Sequence, residues 1–126
     1  MSGARVLLVE DQEDNRVLAR KLLERAGFQV TEAVDGRQAL EQAAALKPDL
    51  ILLDISLPEV DGFTVARTLR ATPELTSLLV VALTAHAMDG DRARALEAGC
   101  DEFMTKPIDV PRFIPTIRRL LERRGP

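Results

Sequence analysis

Five chemically active side chains stand just after short segments that read as strands. Glu10 and Asp11 follow Val6-Leu7-Leu8-Val9, Asp54 follows Leu50-Ile51-Leu52-Leu53, Thr84 follows the run from Leu79 to Leu83, and Lys106 follows Glu102 to Thr105. Carboxylates drawn into one crevice repel each other by ~4 kcal/mol per pair at 4 Å and an effective dielectric near 20. They must take up protons, keep apart, or hold a cation. The candidate ligands are oxygens alone, which favours a hard ion, Mg2+ or alternatively Mn2+, over zinc. Such an ion keeps part of its water shell and accepts a phosphoryl oxygen. Lys106 then supplies a point charge and Thr84 a hydroxyl donor for the remaining phosphoryl oxygens. A carboxylate nucleophile, a metal, a lysine and a hydroxyl are the parts of phosphoryl transfer to an aspartate.

These groups meet only if the chain brings the ends of its strands to one edge. Val6 to Val9, Leu50 to Leu53 and Leu79 to Leu83 are continuous apolar runs, as expected of parallel strands covered on both faces. Phe28 to Ala33 alternates and reads as a half-buried edge strand, and Glu102 to Thr105 as a short fifth strand. Between them lie helical patterns over 14–26, from Gly36 to a stop at Pro48, over 62–71, over 88–98, and from Asp109 to Glu122. Gly27 and Gly99 are natural helix stops. Five strands alternating with five helices predict an α/β fold with a parallel sheet and right-handed crossovers. In such sheets ligands bind beyond the carboxyl ends of the strands, where the strand order reverses. Pro115 removes a hydrogen bond from the last helix and crowds the carbonyl of residue 111, so that helix is expected to be kinked or irregular before residue 115.

The 126 residues carry 17 basic and 20 acidic side chains, a net charge of −3. At this size about two-thirds of the chain's surface can be buried, which suits one compact domain over 1–126. Cys100 is the single cysteine, which excludes an internal disulfide framework and a four-thiolate zinc site. No apolar run is long enough to span a bilayer and the first residues carry no signal-peptide pattern, so a cytoplasmic protein without membrane attachment is expected. The acidic balance argues against direct nucleic-acid binding.

The segments Val9-Glu10-Asp11, Leu53 to Gly62 (Leu-Asp-Ile-Ser-Leu-Pro-Glu-Val-Asp-Gly), Leu83-Thr84-Ala85 and Thr105-Lys106-Pro107 come in the order and at the positions of a known family. The chain resembles, over nearly its whole length, the receiver domain of bacterial response regulators, the CheY-like superfamily. Ala82 to Gly90, Glu97 to Cys100 and the tail through Leu120 to Arg123 are similar to DivK-type single-domain regulators, and to receivers attached to hybrid histidine kinases. The resemblance implies a flavodoxin-like (βα)5 sandwich with strand order 2-1-3-4-5. It implies that Asp54 accepts a phosphoryl group from a sensor histidine kinase or histidine phosphotransfer protein. Glu10, Asp11, Asp54 and the backbone carbonyl of Ser56 would hold Mg2+, with Glu10 reaching it through water. Lys106 would neutralise phosphoryl oxygens, and Thr84 would swing to bond one of them. Phe103 would be the aromatic of the switch, and Ser56 and His86 would sit at the pocket rim. The Lys106–Pro107 bond is commonly cis in the family. Such a protein turns nothing over except its own phosphorylation and dephosphorylation. It acts on a downstream protein target through the face of helix 4, strand 5 and helix 5, with room for a phosphorylation-dependent dimer.

Blander readings compete at individual positions. Glu10, Asp11 and Asp54 are ordinary solvated acids in the alternative, Thr84 a strand end and Lys106 surface charge. Their common edge weighs against this. Asp14 and Asp61 suit helix starts, Cys100 a small buried side chain, and Arg118, Arg119, Arg123 and Arg124 a solvated helix end. Three other functions stand beside the switch. A Mg2+-dependent phosphatase using Asp54 would place a second aspartate where Ser56 stands. A cofactor-binding flavodoxin-like module would need a glycine-rich loop where Glu10-Asp11-Gln12-Glu13 stands. A phosphorylation-independent scaffold would have no use for the intact acidic set.

Overall fold

The computed structural model describes residues 3–55, 62–75, 77–84 and 91–124. Five strands, β1 (Arg5–Val9), β2 (Gln29–Ala33), β3 (Leu50–Asp54), β4 (Leu79–Thr84) and β5 (Glu102–Thr105), form one parallel sheet in the order β2-β1-β3-β4-β5. Five helices connect and cover them: α1 (Glu13–Arg25), α2 (Gly36–Leu46), α3 (Gly62–Ala71), α4 (Asp91–Glu97) and α5 (Val110–Arg124). A 3-10 turn over Pro73–Leu75, absent from the sequence reading, follows α3. The order reverses between β1 and β3, whose chains leave toward opposite halves of the sheet, and this opens a crevice at their carboxyl ends.

Side chains of successive strand residues point to opposite faces. Leu7, Val9, Ile51, Leu53, Val80 and Ala82 pack against α2, α3 and α4. Val6, Leu8, Leu50, Leu52, Val81 and Leu83 pack against α1 and α5. All twelve are essentially inaccessible, which is why these strands read as unbroken apolar runs. The two edge strands differ: only Ala33 of β2 is fully buried, and no residue of β5 is.

Local chemistry ends the elements where it should. Asp35 caps α2, its carboxylate accepting from the Gln38 N–H at 2.8 Å. Gly27 and Gly99 take φ of 97° and 102° at the ends of α1 and α4, a region side chains rarely adopt. At Gly99 a Cβ would also collide with Arg70 Cγ. Arg70 fills that space deliberately: its guanidinium donates to the Gly99 and Leu78 carbonyls at 2.7 Å each and pairs with Asp101, which accepts from Val80 N–H at 2.8 Å. One side chain thus ties α3 to the starts of β4 and β5. Among the described residues Cys100 is a small buried side chain as expected, its thiol pushed up to about 11 by burial.

The irregularity expected before residue 115 does not interrupt the last helix. α5 runs without interruption from Val110 to Arg124 with Pro115 inside it. Proline costs this helix a hydrogen bond about one turn from its start, a penalty of ~3 kcal/mol. Phe113 and Ile117, on either side of it, are fully buried, and each such side chain contributes about 1.5–3 kcal/mol. Packing across the site of the proline outweighs it.

Gly62 opens α3 against the end of β3. A Cβ there would press on Ile55 Cα and lie 2.9 Å from the Asp54 carbonyl oxygen. Gly62→Ala is therefore expected to lower stability by about 1–3 kcal/mol in urea denaturation, as overpacking of rigid backbone does.

Candidate functional site

The expected groups do gather at the carboxyl edge. Asp54 is the last residue of β3 and Thr84 the last of β4, and both are buried. Glu10 and Lys106 each stand one residue beyond their strands. Glu10 continues the even-numbered, α1/α5-facing positions of β1, as Asp54 does in β3, whereas Thr84 continues the positions of β4 that face α2, α3 and α4. Phe103, half-buried in β5, packs against that second core. The proposed reaction groups and the proposed switch groups thus sit on opposite faces of the sheet.

Lys106 joins the first set. Its Nζ lies 2.8 Å from Glu10 Oε1 and 2.9 Å from Asp54 Oδ2. The backbone fixes its stem: Lys106 N–H donates to the Thr84 carbonyl at 2.7 Å, and the Lys106–Pro107 bond is cis. Glu10 Oε2 accepts from Gln12 N–H at 3.1 Å. Asp11, unlike its neighbour, is exposed, yet Glu10, Asp11 and Asp54 each offer a carboxylate oxygen and these lie within 4.8 Å of one another. Ser56 and His86 lie outside the described residues.

Burial raises the Glu10 carboxyl above its ordinary value, against the lowering effect of the bonds from Lys106 and Gln12, and the Asp54 charge raises it further. For Lys106 burial works downward, but hydrogen bonds to Glu10 and Asp54 and their charges prevail, so the ammonium is held above its ordinary value. Among the described residues one ammonium pairs with Glu10 and Asp54 while Asp11 stands beside them, so the ionised cluster keeps a negative excess. An all-oxygen donor set with that excess fits Mg2+ or Mn2+.

Three arginines make contacts that the sequence did not predict. Arg16 on α1 donates from Nη1 to the Glu10 carbonyl at 3.0 Å and the Asp11 carbonyl at 3.4 Å, and its Nε lies 2.9 Å from Glu32 Oε2 on β2. Nothing in the local pattern marks Arg16 apart from its place in the helix that follows the acids. Arg118 and Arg119 are exposed, as expected of a solvated helix end, and also make contacts: Arg118 donates to the Ala26 carbonyl at 3.3 Å, and Arg119 lies 3.8 Å from Glu102.

The raised Lys106 value has a stability consequence with a definite sign. A lysine held above its ordinary 10.5 contributes stability that is fully present below that value and lost as pH rises through the folded one. Glu10 acts in the same direction at lower pH, because a raised acid likewise contributes below its ordinary value and loses that contribution as pH rises through the folded one. Urea denaturation of metal-free protein from about pH 9 to about pH 12 is expected to show an alkaline fall in stability that is shallower in Lys106→Met.

Known proteins supply an independent comparison. The model of the response regulator receiver domain matches residues 6–118. The polar-differentiation response regulator DivK of Brucella anthropi is 46% identical over 116 residues, covering 92% of this chain and 94% of that protein. The receiver domain of a Pseudomonas aeruginosa sensor histidine kinase, whose crystal structure has a magnesium ion coordinated in the active site cleft, is 35% identical with a TM-score of 0.84 over 97% of each chain. The chemotaxis response regulator CheY4 of Vibrio cholerae is 26% identical, with a TM-score of 0.89 over 94% of this chain and 99% of that one. With the same sheet order and the same polar edge, the chain belongs to the response regulator receiver domains, the family that serves two-component phosphorelay signalling through phosphorylation of an aspartate.

Proposed function

We propose that Asp54 is the phosphorylated aspartate and that residues 1–126 work as one receiver unit. The observation that carries this reading is the Lys106 ammonium shared between Asp54 and Glu10, with Asp11 within reach of both acids. An Asp54 carboxylate oxygen attacks phosphorus in a phosphohistidine of a sensor histidine kinase or phosphotransfer protein. The new P–O bond forms as the P–N bond breaks, and the imidazole leaves with its electron pair. Lys106, already beside Asp54, neutralises the phosphoryl oxygens as they arrive. Glu10, Asp11, Asp54 and the Ser56 carbonyl are the residues that would hold Mg2+, or Mn2+ in its place. When bound, that ion supplies positive charge against the phosphoryl group. The chain catalyses only its own phosphorylation and dephosphorylation.

Thr84 and Phe103 carry the state across the sheet to the face built by α4, β5 and α5. There a groove of about 470 Å3 has Phe103 and Met104 among its walls. Glu102 holds Arg92 at 3.4 Å on one side and Arg119 at 3.8 Å on the other. Moving a two-state population from 1:99 to 99:1 takes ~5.5 kcal/mol, so a downstream protein, or a second phosphorylated copy, completes a partial shift by binding the favoured form. Nucleic acid and membrane have no part in this reading, which places the protein in the cytoplasm. Among the described residues no helix is long and apolar enough to cross a membrane.

Acetyl phosphate with Mg2+ is expected to give one phosphoryl adduct by intact mass in the unaltered chain and none in Asp54→Asn. Continuous phosphate release without an adduct would contradict the switch and favour a phosphatase. In a calorimetric titration, Asp11→Asn is expected to weaken Mg2+ binding by more than about tenfold, the least that loss of even a supporting contact usually costs.

A further inference from the structure

We infer that Arg16 is a positioning residue that aims the acidic loop after β1 at its cation, and that Glu32 holds Arg16 to that task. The inference rests on the cation site proposed above. Asp11 is exposed, so the direction of its carboxylate is set by its backbone more than by neighbours. The two peptide groups that flank its Cα end in the Glu10 and Asp11 carbonyls, and both accept from Arg16 Nη1, at 3.0 and 3.4 Å. The same guanidinium presents Nε to Glu32 Oε2 at 2.9 Å. Glu32 sits on β2 opposite Leu8 of β1, and its other oxygen takes Arg20 Nη1 at 2.6 Å. Arg16 is mostly buried, at 18% side-chain exposure, so its fork is not a mobile surface group.

Only a planar fork can make both sets of contacts at once, because a lysine offers one point charge and no second arm. Outer groups that orient ligands commonly change metal affinity by ten- to a hundredfold when removed. Arg16 also brings a positive charge close to a site for a divalent cation, which by charge alone weakens binding. Glu32 offsets that charge. The two roles therefore predict opposite signs: loss of a mere nearby charge tightens Mg2+ binding, whereas loss of a positioning group weakens it.

The test uses the full chain with Arg16→Met, Arg16→Lys and Glu32→Gln. Mg2+ affinity is read by calorimetry, folding by urea denaturation, and the amide NMR signals of Asp11 and Gln12 without Mg2+. Arg16→Met and Arg16→Lys are both expected to bind Mg2+ about tenfold more weakly. Their Asp11 and Gln12 signals should shift while those of β3 and β4 stay in place. Unchanged or tighter binding in Arg16→Met overturns the inference. Should that variant fail to fold, Arg16→Lys decides, since it keeps the charge and lacks the fork: wild-type affinity there overturns the inference equally. If the unaltered chain takes up no Mg2+, the cation site itself fails and the role of Arg16 falls with it. That result is distinct from normal uptake that is indifferent to Arg16.

Discussion

A buried carboxylate must find a positive partner or take up a proton, and at the edge of this sheet Glu10 and Asp54 share one ammonium. The arrangement leaves the cluster short of positive charge, because Asp11 adds a third acid within 4.8 Å. That shortage is what makes the site receptive. A divalent cation would relieve it, and the phosphoryl group proposed on Asp54 would redistribute it around Lys106. The burial that raises Glu10 is also what keeps the charges from being screened by water.

Architecture concentrates the charges without weakening the core. Parallel strands end together, so one residue past each strand is enough to turn an apolar interior into a polar rim. The two-residue alternation then divides the rim. Glu10 and Asp54 follow the α1/α5 side, and Thr84 and Phe103 follow the side of α2, α3 and α4. On the proposed reading, a change at Asp54 reaches the distant face past the end of the neighbouring strand β4, where Thr84 stands. Arg70, at the opposite end of the strands, ties α3 to the loop before β5 and keeps that half of the sheet in register.

Much of this was legible in the chain because it depends on local pattern. Unbroken apolar runs revealed strands covered on both faces, and Glu10, Asp11, Asp54, Thr84 and Lys106 followed from their places at strand ends. What could not be read depended on contacts between distant segments. Glu10 and Asp11 look alike in sequence, yet one is buried against Lys106 and the other faces solvent. Pro115 looks like a source of irregularity, yet the helix continues through it with Phe113 and Ile117 buried on either side. Arg16 has no meaning without Glu32, which reaches it only once β2 has paired with β1. The Arg70 contacts with Gly99 and Asp101 are likewise invisible before α3, β4 and β5 pack together.

The central claim is spatial: acids from two separate strands surround one divalent ion beside Lys106. A crystal grown with Mn2+ and measured at a wavelength where manganese scatters anomalously tests it directly. The account predicts one strong anomalous peak bonded to carboxylate oxygens of Asp11 and Asp54 at about 2.1 Å, the distance such hard ions prefer. A peak elsewhere on the surface, with the Asp11 and Asp54 oxygens turned away from each other, would contradict it.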